Sequence, residues 1–197
     1  MVSPAHRPAS YEDLLALPEH VVGELLDGEL YVSPRPGPAH GVATTAIAEE
    51  LGPPFKRGRG GPGGWVILVE PEVHLGRDVV VPDLAGWRRE RMPEVPIDRP
   101  YFTLSPDWVS ETLSPSTARF DRTKKRAIYE RERVGHVWLV DAIAQTLEVF
   151  RLDGETYRVV LTAGGDDKVR AEPFDAVELD LTMIWGPKRQ LEDPGDP

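Results

Sequence analysis

Two neighbouring segments decide how this chain is read: Val79-Val-Val-Pro-Asp-Leu-Ala-Gly-Trp87 and, after a proline-rich interval, Asp107-Trp-Val-Ser-Glu-Thr-Leu-Ser-Pro-Ser-Thr117. Each half reads as a buried strand, and each delivers one carboxylate, Asp83 from the first and Glu111 from the second. A charge inside an apolar, strand-forming run is costly unless it is paired or bound to a cation. The expectation is that the two acids meet at a divalent-cation site.

Working outward, Ser114-Pro-Ser-Thr leads into a helix over about Arg119 to Glu132. Upstream, Glu24-Leu-Leu-Asp27-Gly28-Glu29-Leu-Tyr-Val32 is a hairpin signal, because Asp-Gly supplies the positive φ angles of a tight turn. Before it, Ser10 reads as an N-cap with Asp13 three positions on, opening a short helix over Tyr11 to Leu17. The segment Ser33 to Pro38 is an extended connector into a helix from His40 to Leu51, which Gly52-Pro-Pro is expected to stop. Lys56 to Gly64 reads as a flexible surface loop; it lacks the Gly-Lys-Ser/Thr ending of a phosphate loop.

Trp65 to Val69 is a strand covered on both faces, which Glu72 to Leu75 continues, and Val79 to Trp87 is a second long strand. Arg88 to Pro106 is a connecting loop. Val137 to Asp141, Thr146 to Leu152 and Tyr157 to Thr162 are short strands, the last two joined at Asp153-Gly154. This order implies an α/β fold, a mixed β-sheet flanked by helices, over residues 10–186. Residues 1–9 form a lead-in and 187–197 a polar, proline-rich tail.

The chain has 197 residues, 40% hydrophobic and 28% charged, which suits a globular domain rather than a disordered one. No run approaches the length of a membrane span, and the first residues lack the apolar stretch of a secretory signal, so a cytoplasmic location is expected. With no cysteine, disulfides and thiolate metal sites are excluded. A formal net charge of −10 argues against a chain that coats nucleic acid by bulk attraction. Charge is uneven, however: Arg119 to Arg133 carries seven basic and three acidic residues.

Phosphodiester cleavage with a bound hard cation needs two or three carboxylates and benefits from a nearby ammonium. Glu24, Asp83, Glu111 and one of Lys124 or Lys125 are the candidates. Each has a plainer reading alone. Asp83 after Pro82 is a common turn acid, and alternation in a strand turns Glu111 to solvent. Glu24 is a solvated hairpin residue, and the lysines form a wet helix face. Helical spacing does not separate the two lysines. His40 either contacts phosphate at the mouth of such a site or stabilises the helix it begins.

The order of these pieces resembles the Uma-type restriction-endonuclease family of the PD-(D/E)XK nuclease superfamily, from about Tyr11 to Trp185. The matching pieces are Glu24-Leu-Leu-Asp-Gly-Glu-Leu, Ser33-Pro-Arg-Pro with His40, Val81-Pro-Asp, Glu111-Thr-Leu-Ser-Pro-Ser-Thr, Asp121-Arg-Thr-Lys-Lys with Tyr129, and Val137-Trp-Leu-Val-Asp141. The resemblance implies Asp83 and Glu111 as metal ligands, Glu24 as an accessory acid and ligand, and Mg²⁺ (with Mn²⁺ as substitute) as cofactor. The superfamily lysine normally lies two residues after the second acid, where this chain has Leu113. The resemblance implies that Lys125, on the following helix, takes that role, with Lys124 ranked second. Ser110 and Thr112 stand where the family tends to have aliphatic residues, and Arg133 where a glycine is common.

The expected activity is Mg²⁺-dependent hydrolysis of DNA, with Asp83, Glu111, Glu24 and Lys125 at the site. The alternatives are a non-cleaving DNA-binding or oligomerisation module on the same fold, and a metal-dependent hydrolase of something smaller, such as a nucleotide. Apolar edge strands around Val137 to Leu152 would suit a homodimer.

Overall fold

The computed structural model describes residues 7–186, so the start of the expected lead-in and the tail 187–197 lie outside the described residues. In chain order the elements are α1 (Tyr11–Leu15), β1 (Val21–Leu26), β2 (Glu29–Pro34), α2 (Pro38–Leu51), β3 (Trp65–Val69), β4 (Val73–Leu75), β5 (Asp78–Val80), β6 (Leu84–Arg88) and β7 (Trp108–Thr112). Then follow α3 (Ala118–Phe120), α4 (Arg126–Arg131), β8 (His136–Asp141), β9 (Thr146–Asp153), β10 (Thr156–Gly164), β11 (Lys168–Val169) and β12 (Leu179–Asp180).

A 6-stranded sheet runs β10-β9-β8-β7-β6-β3, and a 4-stranded sheet runs β2-β1-β5-β4. The larger sheet is mixed: β7 and β8 pair in parallel, with Glu111 opposite Leu139, and its other pairs are antiparallel. A parallel pair needs a long crossover, and the helical segment from Ala118 to Arg131 supplies it. The expected mixed sheet flanked by helices is therefore present.

Period-two alternation assigns the two faces of the large sheet to two cores. Ile67, Leu84, Trp108, Trp138, Leu147 and Val149 meet α2 through Ala43, Ile47 and Leu51. Val66, Ala85, Val109, Val137, Leu139 and Phe150 meet α4 through Ile128 and Tyr129. Phe174 sits among Phe55, Trp65, Trp108 and Trp138, with ring centroids 4.7, 4.8, 4.9 and 5.8 Å away. Each such aromatic pair contributes about 1 kcal/mol beyond area burial.

The hairpin reading holds, with Asp27 at φ 54° and Gly28 at φ 80° between β1 and β2. The Asp13 carboxylate accepts the Ser10 backbone N–H at 2.8 Å, as a capping box requires. Arg133 holds φ 63°, a left-handed conformation that explains why glycine suits that position.

Four expectations need correction. Val79 to Trp87 is not one strand: β5 pairs in the small sheet and β6 in the large one, because Pro82 has no N–H to continue a ladder. Likewise Glu72 to Leu75 does not continue β3, since Glu70 turns the chain at φ 46° ahead of Pro71. Gly52-Pro-Pro does not end the helix but widens it into a π-helical turn, Gly52–Lys56. The strands from Val137 to Leu152 are not edges, because β8 lies between β7 and β9, and β10 covers β9; the apolar-edge argument for a homodimer falls away.

Candidate active site

The passage from β5 to β6 crosses from one sheet to the other, and Asp83 stands at the crossing. Its Oδ2 accepts the Thr112 backbone N–H at 2.6 Å, which ties it to the end of β7. Glu24, on β1 beside β5, accepts the Val81 backbone N–H through Oε1 at 2.8 Å. Two backbone amides next to the break in pairing thus hold two carboxylates at one place. Glu111 comes from β7, where alternation turns it toward α4 rather than α2. It is only 2% exposed, which excludes the solvent-facing reading.

The helix after Thr117 supplies the countercharge. Between α3 and α4 it contains a π-helical turn, Asp121–Lys125, of the kind that recurs at functional sites. Asp121, Lys125 and Tyr129 are all buried. Lys125 Nζ lies 2.8 Å from Glu111 Oε1, 3.0 Å from Glu24 Oε1 and 3.7 Å from Asp121 Oδ1. The Tyr129 hydroxyl donates to Glu111 Oε1. Lys124 faces away, paired with Glu29 at 2.9 Å and lying over the Tyr31 ring. His40, from α2, brings Nε2 to 2.9 Å from Asp83 Oδ2, while its buried Nδ1 has no hydrogen-bond partner among the described residues. It is thus a member of the cluster rather than the cap of α2, whose N-cap is Gly37.

Glu24, Glu111 and Asp121 contact the one ammonium, and Asp83 lies beside them. Burial pushes Asp83 up to about 7 against the pull of Lys125. Burial likewise raises Glu111 and Asp121, again opposed by Lys125. Burial alone would lower Lys125, but Glu111, Glu24 and the neighbouring groups outweigh it and hold its ammonium well above the usual range. Burial lowers His40, favouring the neutral ring.

The cluster lines a cavity of about 290 Å³, entered between the Ser33–Gly37 connector and the Ser114–Thr117 turn. Among the described residues, no three His, Asp or Glu side chains are spaced as a ready-made metal cage. The donor chemistry nonetheless fits a hard divalent cation: the carboxylate oxygens are in excess of the one ammonium. The closest contacts of Asp83 fall on Oδ2 and those of Glu24 and Glu111 on Oε1, so each carboxylate keeps a second oxygen outside them.

All four residues expected at the site, Glu24, Asp83, Glu111 and Lys125, line this one cavity. Sequence reasoning gave no role to Asp121. The signal was there in the i, i+4, i+8 spacing of Asp121, Lys125 and Tyr129.

The sequence pattern of the Uma2 family, described as "Putative restriction endonuclease", matches residues 9–183. No curated protein matches the chain significantly. Among solved structures, a protein from Anabaena variabilis ATCC 29413 described as "a putative nuclease belonging to DUF820" is similar, with a TM-score of 0.73 and 22% identity. The match covers 90% of this chain and 98% of that one.

Proposed function

Because the chain belongs to the Uma2 restriction-endonuclease family, we propose that it is a Mg²⁺-dependent endonuclease that hydrolyses DNA phosphodiester bonds at the Asp83–Glu111 cavity. The observation that carries this reading is the convergence of Glu24, Glu111 and Asp121 on the Lys125 ammonium, beside Asp83. Asp83, Glu111 and Glu24 would hold the cation, Mg²⁺ or in its place Mn²⁺, which when bound supplies Lewis acidity toward a phosphate oxygen and makes water a stronger nucleophile.

The residues divide the remaining work. Lys125 orients the attacking water and offsets charge that develops on the phosphate. Tyr129, donating to Glu111, and the Thr112 N–H, donating to Asp83, fix the two carboxylates before substrate arrives. Asp121 and Glu24 keep the Lys125 amine charged and aimed into the cavity.

The test compares metal-loaded wild type with an Asp83→Asn/Glu111→Gln double variant on plasmid, oligonucleotide and mononucleotide. Wild type is expected to cut plasmid, and the double variant, with an unchanged circular dichroism spectrum, to cut nothing. Equal inertness of the two proteins overturns the proposal. Turnover of mononucleotide alone assigns the site to a smaller substrate.

A second reading is a non-cleaving DNA-binding or oligomerisation module. The net charge of −10 and the lack of a ready-made cage among the described residues favour it. Calorimetry with Mg²⁺ or Mn²⁺ separates the two: heat that depends on Asp83 supports the enzyme, and its absence supports the module.

A further inference from the structure

The loop Lys56 to Gly64 carries three cations and no acid on a chain of −10. Backbone hydrogen bonds tie it to its surroundings. Arg57 N–H donates to Gly52 O at 3.1 Å, Arg59 N–H to Pro54's neighbour Pro53 at 2.8 Å, Gly63 N–H to Pro54 O at 2.8 Å, and Arg89 N–H to Gly64 O at 2.8 Å. At Gly61 a Cβ would come within 2.5 Å of Pro54, so the loop lies against the π-helical turn that follows α2. Lys56 is occupied by the Ile67 carbonyl at 2.9 Å. Arg57 and Arg59 are exposed, and neither side chain has a hydrogen bond or ion pair among the described residues.

Both arginines line a surface groove of about 500 Å³. Its floor is the small-residue face of α2 (Thr44, Thr45, Ala48, Gly52), and its far wall is the exposed Val69. Glu49 is the one acid of the lining, against the two arginines. Residues close in the chain line the groove and the active-site cavity. His40, in the cavity, is one helical turn from Thr44, and Glu70, also in the cavity, follows Val69. The small floor lets a bulky polyanion approach closely, and the hydrogen-bonded loop presents two guanidiniums without partners among the described residues. The fourteen residues of α2 rise roughly 20 Å, which corresponds to about six base-pair steps of duplex.

We propose that this groove is a backbone-binding track, in which Arg57 and Arg59 take phosphates of the DNA strand several nucleotides from the one at Lys125. The inference rests on the nuclease reading for the identity of the substrate. Such contacts position the strand without reading sequence.

The test measures binding of a labelled 30-base-pair duplex by fluorescence anisotropy, without divalent cation, over a range of salt concentrations. Wild type is compared with Arg57→Ala/Arg59→Ala, with Arg57→Lys/Arg59→Lys, and with Arg158→Ala on the outer strand β10. The alanine pair is expected to weaken binding about tenfold and to lower the slope of log K against log salt by about 1 to 2. The lysine pair keeps most of the affinity, and Arg158→Ala matches wild type. Equal binding by the alanine pair and wild type, equal loss with Arg158→Ala, or no duplex binding by wild type overturns the track. If the alanine pair loses binding while neither protein cuts DNA with Mg²⁺, the track stands and the nuclease reading falls. If wild type cuts and the alanine pair binds and cuts equally well, the reverse holds.

Discussion

Lys125 Nζ sits 2.8 Å from Glu111 Oε1, and the two residues come from a strand and from the crossover that follows it: Glu111 near the end of β7, Lys125 in the helix that leads on to β8. The pair therefore forms only when the parallel β7–β8 connection has closed and the helix has docked on the sheet. Its second carboxylate, Glu24, comes from the other sheet. One ammonium thus joins both sheets and the helix, and the candidate chemistry sits where the two sheets meet.

Lys125→Met tests this directly. The side chain is 3% exposed, so the variant keeps the methylene packing and removes the one ammonium among Glu24, Glu111 and Asp121. Unpaired buried charge is costly, and the expected loss is about 3–5 kcal/mol of unfolding free energy with cleavage abolished. Urea denaturation at pH 7.5 reads the first and plasmid nicking the second. Unchanged stability would mean that the carboxylates do not depend on Lys125.

Tyr129→Phe probes the orientation of Glu111 more gently. The ring is fully buried and its hydroxyl donates to Glu111 Oε1, so the variant leaves one acceptor without that donor and the packing otherwise intact. A loss of about 1–3 kcal/mol is expected. Cleavage should fall through kcat with little change in KM, because the residue sets the carboxylate rather than contacting DNA. A change in KM alone would place Tyr129 in substrate binding instead.

How much of this was legible follows from what kind of signal each residue leaves. Asp27-Gly28 marks its turn locally, so the hairpin that presents Glu24 could be read directly. That Glu24, Asp83, Glu111 and Lys125 share one cavity was legible through the order of motifs, not through any one of them. The split of Val79 to Trp87 was not, because an apolar run looks the same whether it pairs in one sheet or two; only Pro82 marked the break. The π-helical turn at Asp121–Lys125 has no residue signature either, although it helps bring Asp121 and Lys125 to the buried face. Gly52-Pro-Pro, read as a stop, widened the helix because two successive prolines remove N–H donors without preventing the next bond, from Arg57 back to Gly52.

Asp78 is a fully buried acid outside the cavity, and its role is structural. It accepts the Asp27 N–H at 2.6 Å and a hydrogen bond from Arg131, so it fastens the β1–β2 turn to the end of α4. Asp78→Ala is expected to cost about 1–3 kcal/mol, since it leaves the Asp27 turn amide without its acceptor while Arg131 keeps Glu132 at 3.0 Å. Cleavage should fall less than in Lys125→Met, because Glu24 keeps its own bond from Val81. Hydrogen exchange confined to the β1–β2 turn would report the loosened fastening. Protection at that turn equal to wild type would show that Asp78 does not hold it.

Away from the cavity, His136, Arg151 and Glu172 form a second cluster whose pH dependence has a fixed sign. Glu172 Oε2 lies 3.2 Å from His136 Nε2, and Arg151 donates to Oε1 at 2.9 Å. Burial tends to raise Glu172, but bonds from His136 and Arg151 outweigh it and hold the carboxyl below its ordinary 4.5. The unfolded chain therefore takes up this proton first on acidification. The Glu172 contribution is full above about pH 4.5 and is lost as the pH falls through the lower folded value. His136 acts in the same direction at higher pH: burial lowers it from 6.5, so the unfolded state gains its proton first there too. Because Glu172 is a third exposed, the whole contribution is under about 1 kcal/mol. Glu172→Gln should thus be slightly less stable than wild type at pH 7, and the gap should close as the pH falls below 4.5 in urea denaturation. A gap that stays constant from pH 7 to 3 would show that the carboxylate's charge contributes nothing there and that the variant acts through packing alone.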